Sequence, residues 1–437
     1  MAQSLLAIPK GLRWLYLDLN SYFASVEQQL DVNLRGKPVA VIPTDTDATC
    51  AIAASYEAKA YGIKTGTMIY KARALCPDLI TVPARHDKYV EYHHKIMAQI
   101  NEFLPLTKIC SVDEVACRLM GSECKEENAI NIAKNIKKAI TDNVGVCLRS
   151  SVGIGPNRFL AKVASNLQKP DGLTVLYATE LPERLAHLEL KDLPGIGRSM
   201  DERLRRAGVY DIKTFWNLNP KHVRSIWHSV EGERFWYALR GIETTTDQAP
   251  IRRTIGHSHV LAPTMRPPHK ARIVARRLTL KAASRLRRLG FFSGNFSLYV
   301  RYDLPQNNKK NDTTKYKWQM DIKLPLAEDS FSFLKALNSL WQQMIHDDNP
   351  RRVKQISVTL YGLVAQDKIM ADMFEQLNDP ITITNRKNSR LSAAMDMINA
   401  KYGIDSVVLG TLPETMSRFS GTKIAFTRIP EKAEFHE

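Results

Sequence analysis

The chain has 437 residues, 44% of them hydrophobic, with six cysteines and a formal net charge of +17. That length holds several domains with cores of their own; no apolar run reaches membrane length, and the N-terminus lacks the apolar core of a signal peptide. No Cys-x-x-Cys pair occurs, so the cysteines read as reduced small hydrophobes of a cytosolic protein, and a pI near 9.5 points to a polyanionic partner.

Residues 13–19 are large and β-favouring and hold one acid, Asp18; helical spacing follows from Tyr22, with Asn20 and Ser21 as good N-cap residues. Asp18 therefore stands at a strand end just before a helix start, where α/β active sites collect. A turn at 34–38 leads to a short buried strand, 39–42; residues 44–49 are polar loop. The small apolar stretch 50–56 precedes helix-like 56–61, which sets Tyr56 and Lys59 three apart on one face. A helix over 85–103 is closed by Pro105.

Residues 109–117 read as a strand interrupted by Asp113 and Glu114. A solvated hairpin turn is the other reading. Two carboxylates in an apolar run need a cation. With Asp18 they can form a three-carboxylate cage whose hard oxygens suit two Mg²⁺ and an in-line phosphoryl or nucleotidyl displacement. Cys110, Cys117 and Cys124 lie seven apart, but no fourth ligand stands at zinc spacing. A helix over 126–141 and a strand over 146–154 follow. A Gly155-Pro-Asn turn opens a helix over 158–166, and Lys162 and Lys169 lie near that turn.

Asp192-Leu-Pro-Gly-Ile-Gly197 with Leu204 and Gly208 is a helix-hairpin-helix signature. Its Gly195–Gly197 turn offers backbone N–H groups to a phosphate without reading bases, and Arg198 adds charge. Residues 242–251 read as a linker. Next come strand 254–260, helix 270–289, strand 292–302, strand 315–324, helix 330–345 and strand 353–363, a β-α-β-β-α-β succession. The first of those helices carries eight basic residues and no acid, either for DNA or as a solvated face. A short helix over 390–402 and a basic tail close the chain.

Four ordered motifs, Asp18 to Glu27, Ser111 to Glu114, Ser151 to Asn157 and Lys169 to Gly172, resemble those of the Y-family (translesion) DNA polymerases. The resemblance spans about Leu12 to the 360s. It implies an α+β multidomain, right-hand-like polymerase with a ferredoxin-like palm, small fingers, a helix-hairpin-helix thumb and a second ferredoxin-like little finger. The boundaries are palm 1–21 and 85–176, fingers 22–84, thumb 177–242, linker 243–251, little finger 252–365 and a C-terminal extension 366–437. It implies that Asp18, Asp113, Glu114 and the Leu19 carbonyl hold two Mg²⁺, and that Tyr22, Phe23, Tyr56, Lys59 and Lys169 contact the nucleotide, with Phe23 as a gate against a 2′-hydroxyl. The family usually carries Arg where Lys59 stands. Partners are primer-template DNA, dNTPs and a sliding clamp reached through Met370, Met373 and Phe374. The resemblance also implies that no membrane is involved and that the protein acts as a monomer in the cytoplasm near the nucleoid. A non-catalytic DNA-binding scaffold and a nucleotide cyclase are the rival readings.

Overall fold

The computed structural model describes residues 11–43, 45–47, 49–243, 252–303, 317–368, 380–403, 406–410 and 429. They fall into two compact units: residues up to 243 with Ile429 in one, 252–410 in the other. The expected clamp residues Met370, Met373 and Phe374 lie outside the described residues.

In the first unit β1 (Trp14–Leu19) leads into α1 (Tyr22–Leu30). β2 (Val39–Ile42), β3 (Ala53–Ala54), α2 (Tyr56–Ala60), α3 (Ile69–Leu75) and β4 (Ile80–Pro83) form a small lobe. Its three-stranded sheet runs β3-β2-β4. Small residues such as Ala40, Ala54, Ala58 and Ala72 fill its core, which lets the layers approach closely.

Next come α4 (His86–Asn101), β5 (Leu106–Ile109), β6 (Glu114–Arg118), α5 (Glu126–Asn143), β7 (Ser150–Gly155), α6 (Arg158–Leu167) and β8 (Leu173–Val175). They build a five-stranded sheet, β5-β6-β1-β7-β8, in which β1 is central and antiparallel to both neighbours. Every residue of β1 is buried, as a central strand demands. α5 buries Ala129, Ala133, Ile136 and Ile140, the 3.6-residue stripe visible in its sequence.

Four short helices complete the unit: α7 (Arg198–Arg206), α8 (Ile212–Trp216), α9 (Pro220–Trp227) and α10 (Val230–Leu239). Phe215, Trp227 and Phe235 pack ring to ring among them. Arg203 of α7 donates to the Ile226 and Trp227 carbonyls that end α9.

The second unit shows the expected succession: β9 (Thr254–Val260), α11 (Pro268–Arg288), β10 (Phe291–Tyr302), β11 (Lys317–Ala327), α12 (Ser330–Asp348) and β12 (Val353–Ala365). The strands lie in the order β11-β10-β12-β9, every neighbouring pair antiparallel. α11 buries Ala271, Ala275, Leu278, Ala282 and Leu286 in the unit's core, an unbroken i, i+4, i+7 stripe.

The last helix, α13 (Pro380–Tyr402), starts ten residues before the sequence reading places it. It also changes the reading of α11, which is neither a bare solvated face nor free for DNA along its length. Arg287 of α11 is nearly buried and grips Asp396 of α13 with two bonds, 2.7 and 3.0 Å. Its remaining nitrogen donates to the Glu328 carbonyl and the Ser330 hydroxyl. The Ser330 N–H at the start of α12 donates to the buried Ser392 hydroxyl of α13, 3.1 Å away. Arg276 donates to the Leu409 carbonyl, and the Leu409 side chain joins the core. The extension up to residue 410 is thus part of this unit.

Asp396→Ala leaves the Arg287 guanidinium buried without its charge partner. It should cost the second unit about 1–3 kcal/mol. Hydrogen exchange on the full chain should show faster exchange along α11 and α12; unchanged protection would mean that α13 merely rests on the unit.

Candidate active site

The register of the central sheet decides where the acids meet. Asp18, fifth residue of β1, pairs with Glu114, the first residue of β6, and the next N–H, Leu19, donates to the Asp113 carbonyl at 2.9 Å. Asp113 and Glu114 do not interrupt a strand as expected. They sit where the β5–β6 hairpin closes, with the N–H groups of Cys110 and Ser111 both donating to the Glu114 carbonyl. Nor is the turn solvated: Val112 is buried, and the fully buried His93 of α4 lies 2.7 Å from the Val112 carbonyl. Burial pushes His93 down to about 4, so the neutral ring donates from Nδ1 and anchors the hairpin to α4.

Each carboxylate has its own partner. Ser111 donates to Asp113 at 2.6 Å. The Lys169 ammonium stands 2.7 Å from Asp18. Glu114 is held by Lys162 at 2.8 Å through both oxygens and by the Tyr16 hydroxyl at 2.9 Å. Burial pushes the Asp18 carboxyl up to about 6 despite Lys169, and the Glu114 and Asp113 charges add to that rise. Asp113 is raised chiefly by burial. For Glu114 burial pulls upward too, but Lys162 and Tyr16 together outweigh it and its pKa falls. Burial, then the Glu114 charge, drives the Tyr16 hydroxyl far up, so it stays a donor.

The backbone register thus brings Asp18, Asp113 and Glu114 to one corner, while lysines take two of the three side chains. Among the described residues no three acid, histidine or cysteine side chains converge closely enough to hold an ion. The donor set still suits a hard divalent cation: three carboxylates share one corner, and burial raises the pKa of two of them.

Tyr56 and Lys59, expected on a nucleotide, stand within the field of the same acids. Ser55 caps α2 by accepting from the Ala58 N–H, which orients Tyr56 and Lys59. The Lys59 ammonium lies 4.4 Å from the centre of the Tyr56 ring. Burial, then Lys169, lowers the Lys59 pKa against the pull of Asp18, and burial, then Asp18, raises that of Tyr56, so all four groups share one field. On α1, Tyr22 and Phe23 are both buried; the Phe23 ring stacks on Tyr89 rather than standing open to solvent.

Ser21 is the residue at the N-cap of α1, but its side chain does not cap. It takes a left-handed conformation, φ 49°, to bend the chain out of β1. Asn20 meanwhile bonds the Ser151 hydroxyl of β7 and accepts the Asp171 N–H, tying the strand end to the Lys169 loop.

In the helical lobe Gly195 adopts φ +97° and Gly197 is the N-cap of α7, as a tight turn requires. Arg198 is 93% exposed, with Glu202 at 3.0 Å along the helix. These residues stand apart from the acid cluster.

Sequence reasoning missed Tyr16, Lys162 and His93 as supports of the acids. Tyr16 carried a signal: two residues before Asp18 on a strand, it must share the face of Asp18. Tyr16, Asp113, Glu114, Arg158, Lys162 and Glu243 also line a cavity of about 630 Å³ beside the acids.

Lys162→Met strips Glu114 of its cation. In metal-free buffer the variant should lose about 1–3 kcal/mol of stability, and added Mg²⁺ should recover more of its melting temperature than it adds to the parent. A loss that Mg²⁺ does not recover would make Lys162 a packing residue only.

Two family models match the chain: one described as the impB/mucB/samB family over residues 17–166, and its C-terminal domain over 252–373. The DNA polymerase IV of Moorella thermoacetica is 31% identical over 401 residues, covering 89% of this chain and 93% of the relative. That of Pelotomaculum thermopropionicum is 30% identical, with 90% and 94% covered. DNA polymerase IV 1 of Bacillus subtilis is 27% identical, with 93% and 95% covered. Among solved structures, a Y-family DNA polymerase chimera superposes with TM-score 0.67 at 22% identity, covering 81% of this chain and 99% of that one. An insertion ternary complex of Dbh DNA polymerase gives 0.52 at 23%, with the same coverage.

Proposed function

This chain belongs to the impB/mucB/samB family and is a Y-family translesion DNA polymerase, a DNA-directed DNA polymerase; from that premise we propose that Asp18, Asp113 and Glu114, with the Leu19 carbonyl, hold two Mg²⁺ for transfer of a deoxynucleotide to a primer 3′-hydroxyl. One observation carries the reading: the β1–β6 register faces Asp18 with Glu114 and bonds Leu19 to Asp113. When bound, such ions lower the pKa of the primer hydroxyl and offset charge on the departing pyrophosphate.

The chain's own residues do the remaining work. Tyr56, Lys59 and Lys169 take the triphosphate of the incoming dNTP. Lys59 offers a point charge where a guanidinium would offer a fork, so it binds phosphate without fixing its rotation. Tyr16 and Lys162 keep Glu114 turned into the site. Tyr22 and Phe23 lie under the sugar. The Gly195–Gly197 turn and Arg198 hold the duplex backbone. The domain boundaries follow the same reading, with the little finger continued through α13. The chain works as a monomer near the nucleoid and reaches a sliding clamp through Met370, Met373 and Phe374. Among the described residues no helix is long and apolar enough to cross a membrane.

Primer extension with Mg²⁺ on undamaged and abasic templates tests the reading. Asp113→Ala should reduce incorporation to the enzyme-free level while primer-template affinity stays within a few-fold, because phosphate contacts elsewhere carry affinity. Robust extension by that variant would sink the assignment.

The thumb is tested separately. Arg198→Ala should flatten the slope of log affinity against log salt by about one unit or less, irrespective of template sequence. An unchanged slope would leave the turn a structural corner.

A further inference from the structure

We propose that Tyr89, anchored through Glu27 and Arg85, is the positioning residue that fixes the Phe23 ring as the surface discriminating between deoxyribose and ribose. The inference rests on the reading above that Phe23 lies under the nucleotide sugar, and it names what makes that ring effective.

The Phe23 and Tyr89 rings lie 4.4 Å apart, centre to centre, and within 13° of parallel. His86 meets both rings edge-on, at 6.5 and 5.9 Å. Tyr89 is itself pinned at both ends to α1, the helix that carries Phe23. Its hydroxyl donates to Glu27 at 2.7 Å, and its backbone carbonyl accepts from the Tyr22 hydroxyl at 2.6 Å. Glu27 has no exposed surface and also holds Arg85, whose Nε lies 3.0 Å from one of its oxygens. Against the Phe23 ring stands a second ring, bonded to α1 through both its hydroxyl and its backbone carbonyl.

Packing alone does not call for this arrangement. A buried carboxylate is costly, and an apolar residue of similar volume often stabilises a core as well as a buried ion pair does. What a fully bonded polar network adds is a single geometry. A steric filter needs that geometry, because it must resist displacement by one hydroxyl group. A shift of about 1 Å in a positioning element can change rates by about 100-fold. A Phe23 ring free to tilt by that much would admit the 2′-hydroxyl.

The test is the ratio of kcat/KM for a matched deoxynucleotide to that for its ribonucleotide, measured on the full-length parent, Phe23→Ala, Tyr89→Leu, Tyr89→Phe and Glu27→Gln. A ratio cancels a general loss of activity. Tyr89→Leu should lower it by about tenfold or more, and Tyr89→Phe, which keeps the stack and loses the anchor, by less. If Phe23→Ala collapses the ratio and Tyr89→Leu leaves it at the parent's value, the positioning role is wrong and the gate stands. If Phe23→Ala leaves it unchanged, the gate reading fails and this inference fails with it. Should Tyr89→Leu not fold, Tyr89→Phe and Glu27→Gln decide: an unchanged ratio in both overturns the inference, and a lowered ratio in either supports it.

Discussion

Three carboxylates in one corner of a sheet repel one another, and burial makes each harder to ionise. The catalytic unit is arranged around that conflict. Because β1 is the central strand, Asp18 cannot avoid Glu114 on the neighbouring strand, and the hairpin bond to Leu19 holds Asp113 beside them. The rest of the unit supplies positive charge from three directions. α6 brings Lys162, the loop after it brings Lys169, and α2 brings Lys59 within the field of Asp18.

Magnitudes separate the two lysine-bound acids. A charge pair near 3 Å is worth roughly 5 kcal/mol at an effective dielectric of 20, similar to the several kcal/mol that burying an ion costs. With the terms so close, one extra partner decides the outcome. Glu114 has a lysine on both oxygens and a tyrosine, and its pKa falls. Asp18 has one lysine, on one oxygen, and its pKa rises to about 6. The corner is therefore unevenly balanced. Glu114 is held charged by its partners, whereas burial raises the pKa of Asp18 and Asp113. Lys169 is also the lysine expected on the triphosphate, so its hold on Asp18 and its reach to a phosphate compete for one ammonium.

The sequence was most legible where a pattern is local. The strand around Asp18, the helix that becomes α5 and the β-α-β-β-α-β succession all follow from patterns along the chain. It was least legible where two distant segments decide. The apolar residues flanking Asp113 suggested a strand, and only the pairing with β1 makes a hairpin end there. His93 and Val112 meet across 19 positions, Lys162 and Glu114 across 48, and Arg287 and Asp396 across 109. No periodicity reports such pairs. The start of α13 was hidden for another reason. Ile381-Thr382-Ile383-Thr384 is a β-branched run that reads against a helix, although the chain is helical there.

Charge alone would also have misread α11 as an open basic surface. α11 concentrates basic residues, yet Arg272, Arg276 and Arg287 are engaged by Asn338, the Leu409 carbonyl and Asp396 within the same unit. The opposite side of that unit is the outer face of its sheet. There the alternation that buries Phe296, Leu298 and Val300 places Asn295, Tyr299 and Arg301 on the other face, and the strand beside it contributes Gln355, Ser357 and Thr359. Gln355 bonds the Ser258 hydroxyl on the next strand, and the β10–β11 register adds Lys317, Gln319, Asp321 and Lys323 to the same face, which mixes amides and hydroxyls with charge. Amides and hydroxyls bond phosphate and sugar oxygens without distinguishing bases, and lysine and arginine add salt-dependent attraction to any phosphate.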